Sequence, residues 1–287
     1  MPRFEPFVAL RYAAADRLAD LVAPPYDVLS PTQVRAYATR DRHNIVHVDV
    51  PQVMATDAVE PYAAAALLLR SWVSAGVLVA DDRPSLTIHR MRFQDATGTE
   101  RETVGVLGGL EVVPAGGGGV LPHERTTPKD STDRLDLSIA TGTNLSPVWG
   151  LSLASGLTEE LAAPGQLVGQ VSLDGVDHVL ERVDDPDRLA RISAIVADDD
   201  VLIADGHHRY GVARQLAERA AGDRAAVVVG PGGFRPPTLA PGAADLTLAY
   251  VQELEADQLA ISPIHRLYAG ASAADITEAL ACDFELT

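Results

Sequence analysis

The chain has 287 residues, enough for one large domain or two modest ones. Apolar residues make up 47% and charged residues 22%, which is ordinary globular composition and excludes a disordered or fibrous chain. Asp and Glu number 40 against 23 Lys and Arg, and the resulting net charge of −17 weighs against a protein that coats nucleic acid, because neutralising phosphates takes a basic face.

A single cysteine, Cys282, excludes an internal disulfide and a cysteine-rich metal centre. No charged leader precedes a long apolar stretch, and the aliphatic run from Ala63 to Leu69 is closed by Arg70, far short of a bilayer span. A cytoplasmic protein without membrane contact is therefore expected. Lys129 is the one lysine, so arginine carries most of any anion binding.

In chain order, the turn-rich Ala23–Ser30 (APPYDVLS) leads to Ser30-Pro31, an N-cap with proline at the first helical position, and predicts a helix over Pro31–Thr39. Asn44–Val50 reads as a strand with His47 and Asp49 on one face, where they could line a pocket. Glu60–Ala75 reads as a helix stopped by Gly76. Ser85–Phe93 and Glu102–Val113 form a predicted hairpin across a polar, Gly-containing turn.

The Gly-rich tract 114–119 breaks the pattern. Leu121–Gly150 is long and polar, with a helical stretch around Thr132–Thr141. A strand pair is expected near Gly165–Val183, a helix over Pro186–Val196 with Leu189, Ile192 and Ile195 on one face, and a buried strand over Val201–Ala204. A helix from His207 to about Ala221, strands over Ala225–Val229, Leu246–Leu254 and Leu259–Tyr268, and a helix over Ala273–Ala281 complete the chain. Mixed helices, strands and hairpins make this an α+β protein with a mixed β-sheet and flanking helices.

Val201–Leu216 (VLIADGHHRYGVARQL) carries the most chemistry. An apolar strand delivers the chain to Asp205-Gly206, and the glycine permits a sharp turn. The following helix begins at His207-His208-Arg209, so free N–H groups, the positive end of the helix dipole and three side-chain donors converge. Charge-assisted hydrogen bonds there contribute about 1.5–3 kcal/mol each. A phosphate site at Gly206, His207, His208 and Arg209 is the expectation. The competing reading is that Asp205 only caps the helix while His208 and Arg209 are solvated. Zinc on His207 and His208 is disfavoured, since adjacent helical residues point about 100° apart.

These segments identify the chain as similar to a prokaryotic family, domain of unknown function 1015. The similarity runs through PFVALR, APPYDVLS, HNIVHVDVP, LPHERT, NLSPVWGL, IADGHHRY and PIHRLY in order. It implies one family domain over 1–287, divisible into lobes 1–155 and 156–287. The strand–DGHHRY–helix element also resembles the phosphate-binding element of the ParB/sulfiredoxin superfamily, which includes CTP-binding ParB proteins, ATP-using sulfiredoxins and free serine kinases. Sulfiredoxin chemistry needs a cysteine where His207 stands, so sulfinate repair is excluded. No basic DNA-reading face is visible, so no nucleic-acid partner is expected.

The resemblance implies nucleotide-dependent phosphoryl transfer to a small molecule, with free L-serine or a related hydroxy metabolite as acceptor and Mg²⁺ with ATP or ADP as cofactor. Phosphoryl transfer needs a phosphate cradle, a divalent metal and a carboxylate to take the hydroxyl proton. Glu124 is the candidate base beside His123, with Asp205 and Asp27 as metal ligands and Arg125 or Lys129 on phosphate oxygens. Tyr26, Asp27, Asn144 and His265 are candidate substrate contacts, although Asp27 and Asn144 equally suit turns. Two alternatives stay open: a ParB-like nucleotide-binding regulator, and a metal-dependent hydrolase using His123, Glu124, His207 and His208. The chain also allows a homo-oligomer.

Overall fold

A computed structural model describes residues 1–54, 60–95, 97–114, 116–123, 128–222, 245–255 and 272–280. The chain begins with strands β1 (Phe4–Glu5) and β2 (Leu10–Tyr12), followed by α1 (Leu18–Leu21). A short 3-10 turn over Tyr26–Val28 leads to α2 (Pro31–Arg40), α3 (Val46–Asp49), α4 (Pro51–Met54) and α5 (Pro61–Ser74). Then come β3 (Leu78–Ala80), β4 (Leu86–Gln94), β5 (Glu100–Glu111), β6 (Val120–Leu121), α6 (Pro128–Thr141), β7 (Val148–Ser152) and α7 (Leu157–Ala162). The remainder comprises β8 (Gln166–Leu173), β9 (Val176–Val183), α8 (Pro186–Val196), β10 (Val201–Asp205), α9 (His207–Gly222), β11 (Leu246–Glu253) and α10 (Ala273–Leu280).

Local chemistry explains most boundaries. Ser30 caps α2 in a reciprocal capping box with Gln33, and Pro31 occupies the first turn. Asp185 caps α8 by accepting from Arg188 N at 2.9 Å. Asp174 (φ 51°) and Gly175 (φ 82°) turn β8 into β9, the left-handed pair a two-residue hairpin demands.

One expectation is corrected. Asn44–Val50 is not a strand; Val46–Asp49 is helical. The Asn44 side chain accepts from Val46 N at 3.1 Å and donates to the carbonyls of Asp20 and Val22, so a local polar bond competes with extended pairing. Pro51 then opens the next turn. β7 and α7 are not among the elements expected from the sequence, and α6 starts at Pro128, earlier than Thr132. The expected strands Ala225–Val229 and Leu259–Tyr268 lie outside the described residues.

The large sheet is mixed and runs β6-β10-β7-β11-β5-β4-β9-β8, with β1 alongside β5. β10 pairs parallel to β6 and β11 parallel to β7, while the other neighbours are antiparallel. One face is the main core: Leu86, Ile88, Val104, Val106, Val201, Ile203, Ala249 and Val251 pack with Leu157 and Leu161 of α7, Ile192 and Val196 of α8, and Tyr210 of α9. The alternation of buried apolar residues along each strand produces that face.

A second core joins Val48, Ala65, Leu69, Trp72, Leu78 and Leu137 among α3, α5, β3 and α6. It ties to the sheet where Arg11 Nη2 donates to Thr87 Oγ1 at 2.9 Å. This is an α+β fold with a large mixed sheet flanked by helices. Among the described residues no helix is long and apolar enough to cross a membrane.

Candidate functional site

The site forms at the end of β10. Val201 and Ile203 anchor that strand in the core, and an irregularity in the ladder between Ile203 and Asp205 frees the chain to turn. Gly206 has φ 88°, a left-handed value that glycine adopts without strain. A Cβ there would lie 3.1 Å from the Arg209 guanidinium carbon and 3.3 Å from Val148 Cα. The bare glycine therefore lets Arg209 fold back over the turn. Tyr210 fixes the helix start: its N–H donates to Gly206 O at 2.9 Å, its hydroxyl donates to Glu111 O at 3.1 Å, and the same hydroxyl accepts from Val113 N at 2.9 Å.

Arg209 is the hub. Its side chain is 11% exposed, so it is not simply solvated. Nη2 donates to Asp205 Oδ2 at 2.5 Å and lies 3.6 Å from Asp27 Oδ2, and Nη1 donates to the Pro147 carbonyl. One guanidinium thus gathers the strand–turn–helix element, the Pro-rich turn near residue 26 and the segment preceding β7. Asp205 and Asp27 remain 59% and 42% exposed and can reach a ligand.

A second arginine stands beside it. The Arg134 guanidinium lies 3.8 Å from the Tyr26 ring centroid, donates to Asp49 Oδ1 at 3.0 Å and to Asp49 O at 2.8 Å, and pairs with Asp133 at 2.9 Å. Asp133 accepts from the Tyr62 hydroxyl at 2.8 Å, and Gln52 donates to that hydroxyl at 2.7 Å. Burial raises the Asp49 carboxyl above the usual carboxylate range, against the pull of Arg134 and then Arg209. Burial, then the neighbouring Asp27, also raises the Tyr26 hydroxyl. Tyr62 is pushed up to about 12 by burial and then by its bond to Asp133.

On the other side of the turn the backbone N–H of His123 donates to His207 Nε2 at 3.3 Å, and the two rings meet edge to face at 4.5 Å. His207 is buried and His208 half-buried. Asn144 is exposed and accepts from the Thr247 hydroxyl at 3.3 Å, a structural partner.

The structure thus brings together Tyr26, Asp27, Asp205, Gly206 and Arg209, and joins His123 to His207. Glu124, Arg125 and His265 lie outside the described residues. Nothing in the sequence marks Arg134 and Asp133, because alternating charges in a helical stretch look like a solvated face. Asp49, a pocket candidate from the sequence, belongs here, although on a helix. Among the described residues no group of three or more His, Cys, Asp or Glu is placed to hold a metal ion. Four carboxylates (Asp27, Asp49, Asp133 and Asp205) surround two guanidiniums (Arg134 and Arg209).

A family model described as "Protein of unknown function (DUF1015)" matches residues 4–287. The chain belongs to that family. No curated protein and no solved structure matches it.

Proposed function

We propose that the chain is a nucleotide-dependent small-molecule kinase. The observation that supports it is the turn at 205–209, where an arginine bonded to Asp205, and close to Asp27 from a distant segment, sits at the start of a helix. Gly206, His207, His208 and Arg209 bind the phosphates. Mg²⁺ is commonly held by one or two carboxylates with substrate phosphates supplying other ligands. Two exposed carboxylates sharing one arginine suit that arrangement, and they fall short of an all-protein metal cage.

The terminal phosphoryl group of ATP or ADP passes to the acceptor hydroxyl, leaving ADP or AMP, and the hydroxyl proton goes to Glu124 beside His123. Free L-serine or a related hydroxy metabolite is the acceptor, on the strength of the likeness to free serine kinases. A cytoplasmic location and a small-molecule rather than nucleic-acid partner go with this reading.

Purified protein incubated with Mg²⁺, ATP or ADP and a panel of hydroxy amino acids tests it, with mass spectrometry of the acceptor and thermal shift as readouts. A phosphorylated acceptor is expected, together with a raised Tm, since a ligand at a hundredfold over Kd adds about 2.7 kcal/mol. Nucleotide binding without product under any acceptor would leave the ParB-like regulator instead. Neither product nor shift would overturn both.

A further inference from the structure

The sheet face opposite the main core continues away from the site. Register sets Asp205 beside Trp149, Trp149 beside Tyr250, Tyr250 beside Leu107, and Leu107 beside Thr87. The next row of that face holds Gln252 on β11 and His89, which stands beside Gly105. Beyond it, Thr103 pairs with Met91, and Met91 with His178. Their alternates along the strands, Ala249, Val251, Val104, Val106 and Ile88, fill the main core, so these side chains point the other way.

Gly105 leaves room for them. A Cβ there would lie 2.5 Å from Tyr250 Cε2 and 2.8 Å from Gln252 Cγ, so both side chains cross directly over β5. The Tyr250 ring reaches His89 at a centroid distance of 5.5 Å, and His89 stacks on His178 at 5.2 Å with their Nε2 and Nδ1 atoms 3.0 Å apart. Four buried polar atoms in this group have no hydrogen-bond partner: Tyr250 Oη, both amide atoms of Gln252, and Thr103 Oγ1. The three residues are 8%, 1% and 4% exposed. Native proteins pair nearly all such groups, because an unmet buried donor or acceptor is costly.

The chemistry of the group narrows what could pair it. Burial, then His178, pushes His89 down to about 4; burial also lowers His178 and raises the Tyr250 hydroxyl. The group is uncharged near neutrality, so it does not complement a phosphate, carboxylate or ammonium. The Gln252 amide presents a donor and an acceptor side by side in one plane, the pairing element that matches the edge of adenine. Aromatic faces adjoin it. Tyr250 shares a row with Asp205, two strand spacings or about 10 Å across the sheet, and Gln252 lies two residues further along β11, so these two side chains stand within reach of one nucleotide whose phosphates occupy the turn at 205–209.

We propose that Gln252, Tyr250 and Thr103, beside the stacked His89–His178 pair, bind the adenine base of the nucleotide through its hydrogen-bonding edge. This rests on the phosphate reading of the 205–209 turn and extends it to base recognition.

Titration of the full chain with Mg²⁺-ATP, Mg²⁺-tripolyphosphate and adenosine tests it, for the wild type and for Gln252→Met and Tyr250→Phe. The wild type binds ATP more tightly than tripolyphosphate. Each variant loses about tenfold in ATP affinity, as for a lost bidentate base contact, and keeps its tripolyphosphate affinity. Unliganded Tyr250→Phe melts near the wild-type temperature, because its hydroxyl has no partner to lose.

Variants with wild-type ATP affinity would overturn the inference while leaving the phosphate reading intact, as would equal affinity of the wild type for ATP and tripolyphosphate. A marked loss of Tm in unliganded Tyr250→Phe would show the hydroxyl already paired and would also overturn it. A Tm rise with adenosine that requires Gln252, in a protein that binds neither ATP nor tripolyphosphate, would keep the base site and sink the phosphate reading. No response to any probe sinks both.

Discussion

Substitution of Arg134 by Met probes the ion-pair network that holds the site. The Arg134 and Asp49 side chains are 8% and 9% exposed, so neither is well solvated. The variant loses two bonds to Asp49, one to Asp133 and the cation beneath the Tyr26 ring, and it strands a buried carboxylate. Removing one partner of a buried pair destabilises by about 3–5 kcal/mol, chiefly through the charge left behind. At about 2–4 °C per kcal/mol for a large domain, Tm falls by on the order of 10 °C. Replacing both partners, Arg134→Met with Asp49→Leu, restores much of the loss, because no orphan charge remains.

The pH dependence has a definite sign. The Asp49 carboxyl already lies above its ordinary value because of burial, and it rises further without Arg134. A raised folded-state pKa means the folded form binds the proton more readily. The single variant therefore regains stability as pH falls from 7, fully so below the unfolded value of about 3.9. Urea midpoints at pH 7 and pH 5 for wild type, single and double variants measure this. A single variant with the wild-type midpoint at pH 7, or a deficit that widens on acidification, would refute the reasoning.

Gly206→Ala forces an unfavourable left-handed backbone and presses a methyl against Arg209 and Val148, so a loss of about 1–3 kcal/mol is expected in thermal melts, with weaker nucleotide binding. Glu253 of β11 accepts from Gly156 N at 2.9 Å and Thr158 N at 2.7 Å, supporting the start of α7; Glu253→Ala lowers stability at pH 7 by about 1–3 kcal/mol, read from urea midpoints. Burial pushes the Glu253 carboxyl up, but those two backbone donors leave it net lowered, so its contribution is present above the unfolded carboxylate pKa and fades as pH falls through the folded one. His89 titrates in the folded state at about 4 against about 6.5 unfolded, so wild-type stability drops between those values as pH falls, and His89→Phe flattens that slope in urea melts from pH 7 to pH 4.5.

The helices over 31–40, 61–74, 186–196 and 207–222 and both hairpins were legible because periodicity, caps and turn residues agreed locally. The strand misreading at Asn44–Val50 shows the limit of alternation. His47 and Asp49 alternate with valines, but Asn44 bonds back to the chain and four residues fit one helical turn. β7 escaped because VWGLS is short and contains Gly150, whose bare Cα lets Val201 approach; its place between β10 and β11 is set by distant partners.

At the site, Asp205-Gly206 and Arg209 announced themselves by sitting between an apolar strand and a helix. Arg134 did not, because its role depends on Tyr26 and Asp49, about a hundred residues earlier in the chain. Gln252 and Tyr250 read as part of an ordinary late strand, and their unpaired state is a property of the assembled face.

The pairing of β5 has a consequence for biosynthesis. This strand has β4 and β1 along one edge and β11, more than a hundred residues downstream, along the other. A nascent chain that has emerged only as far as α9 carries β5 with an open, largely apolar edge, of the kind that recruits other chains. Closure waits until Leu246–Glu253 clears the ribosome, so a translational pause or truncation upstream of that strand leaves a species that depends on chaperones to stay soluble.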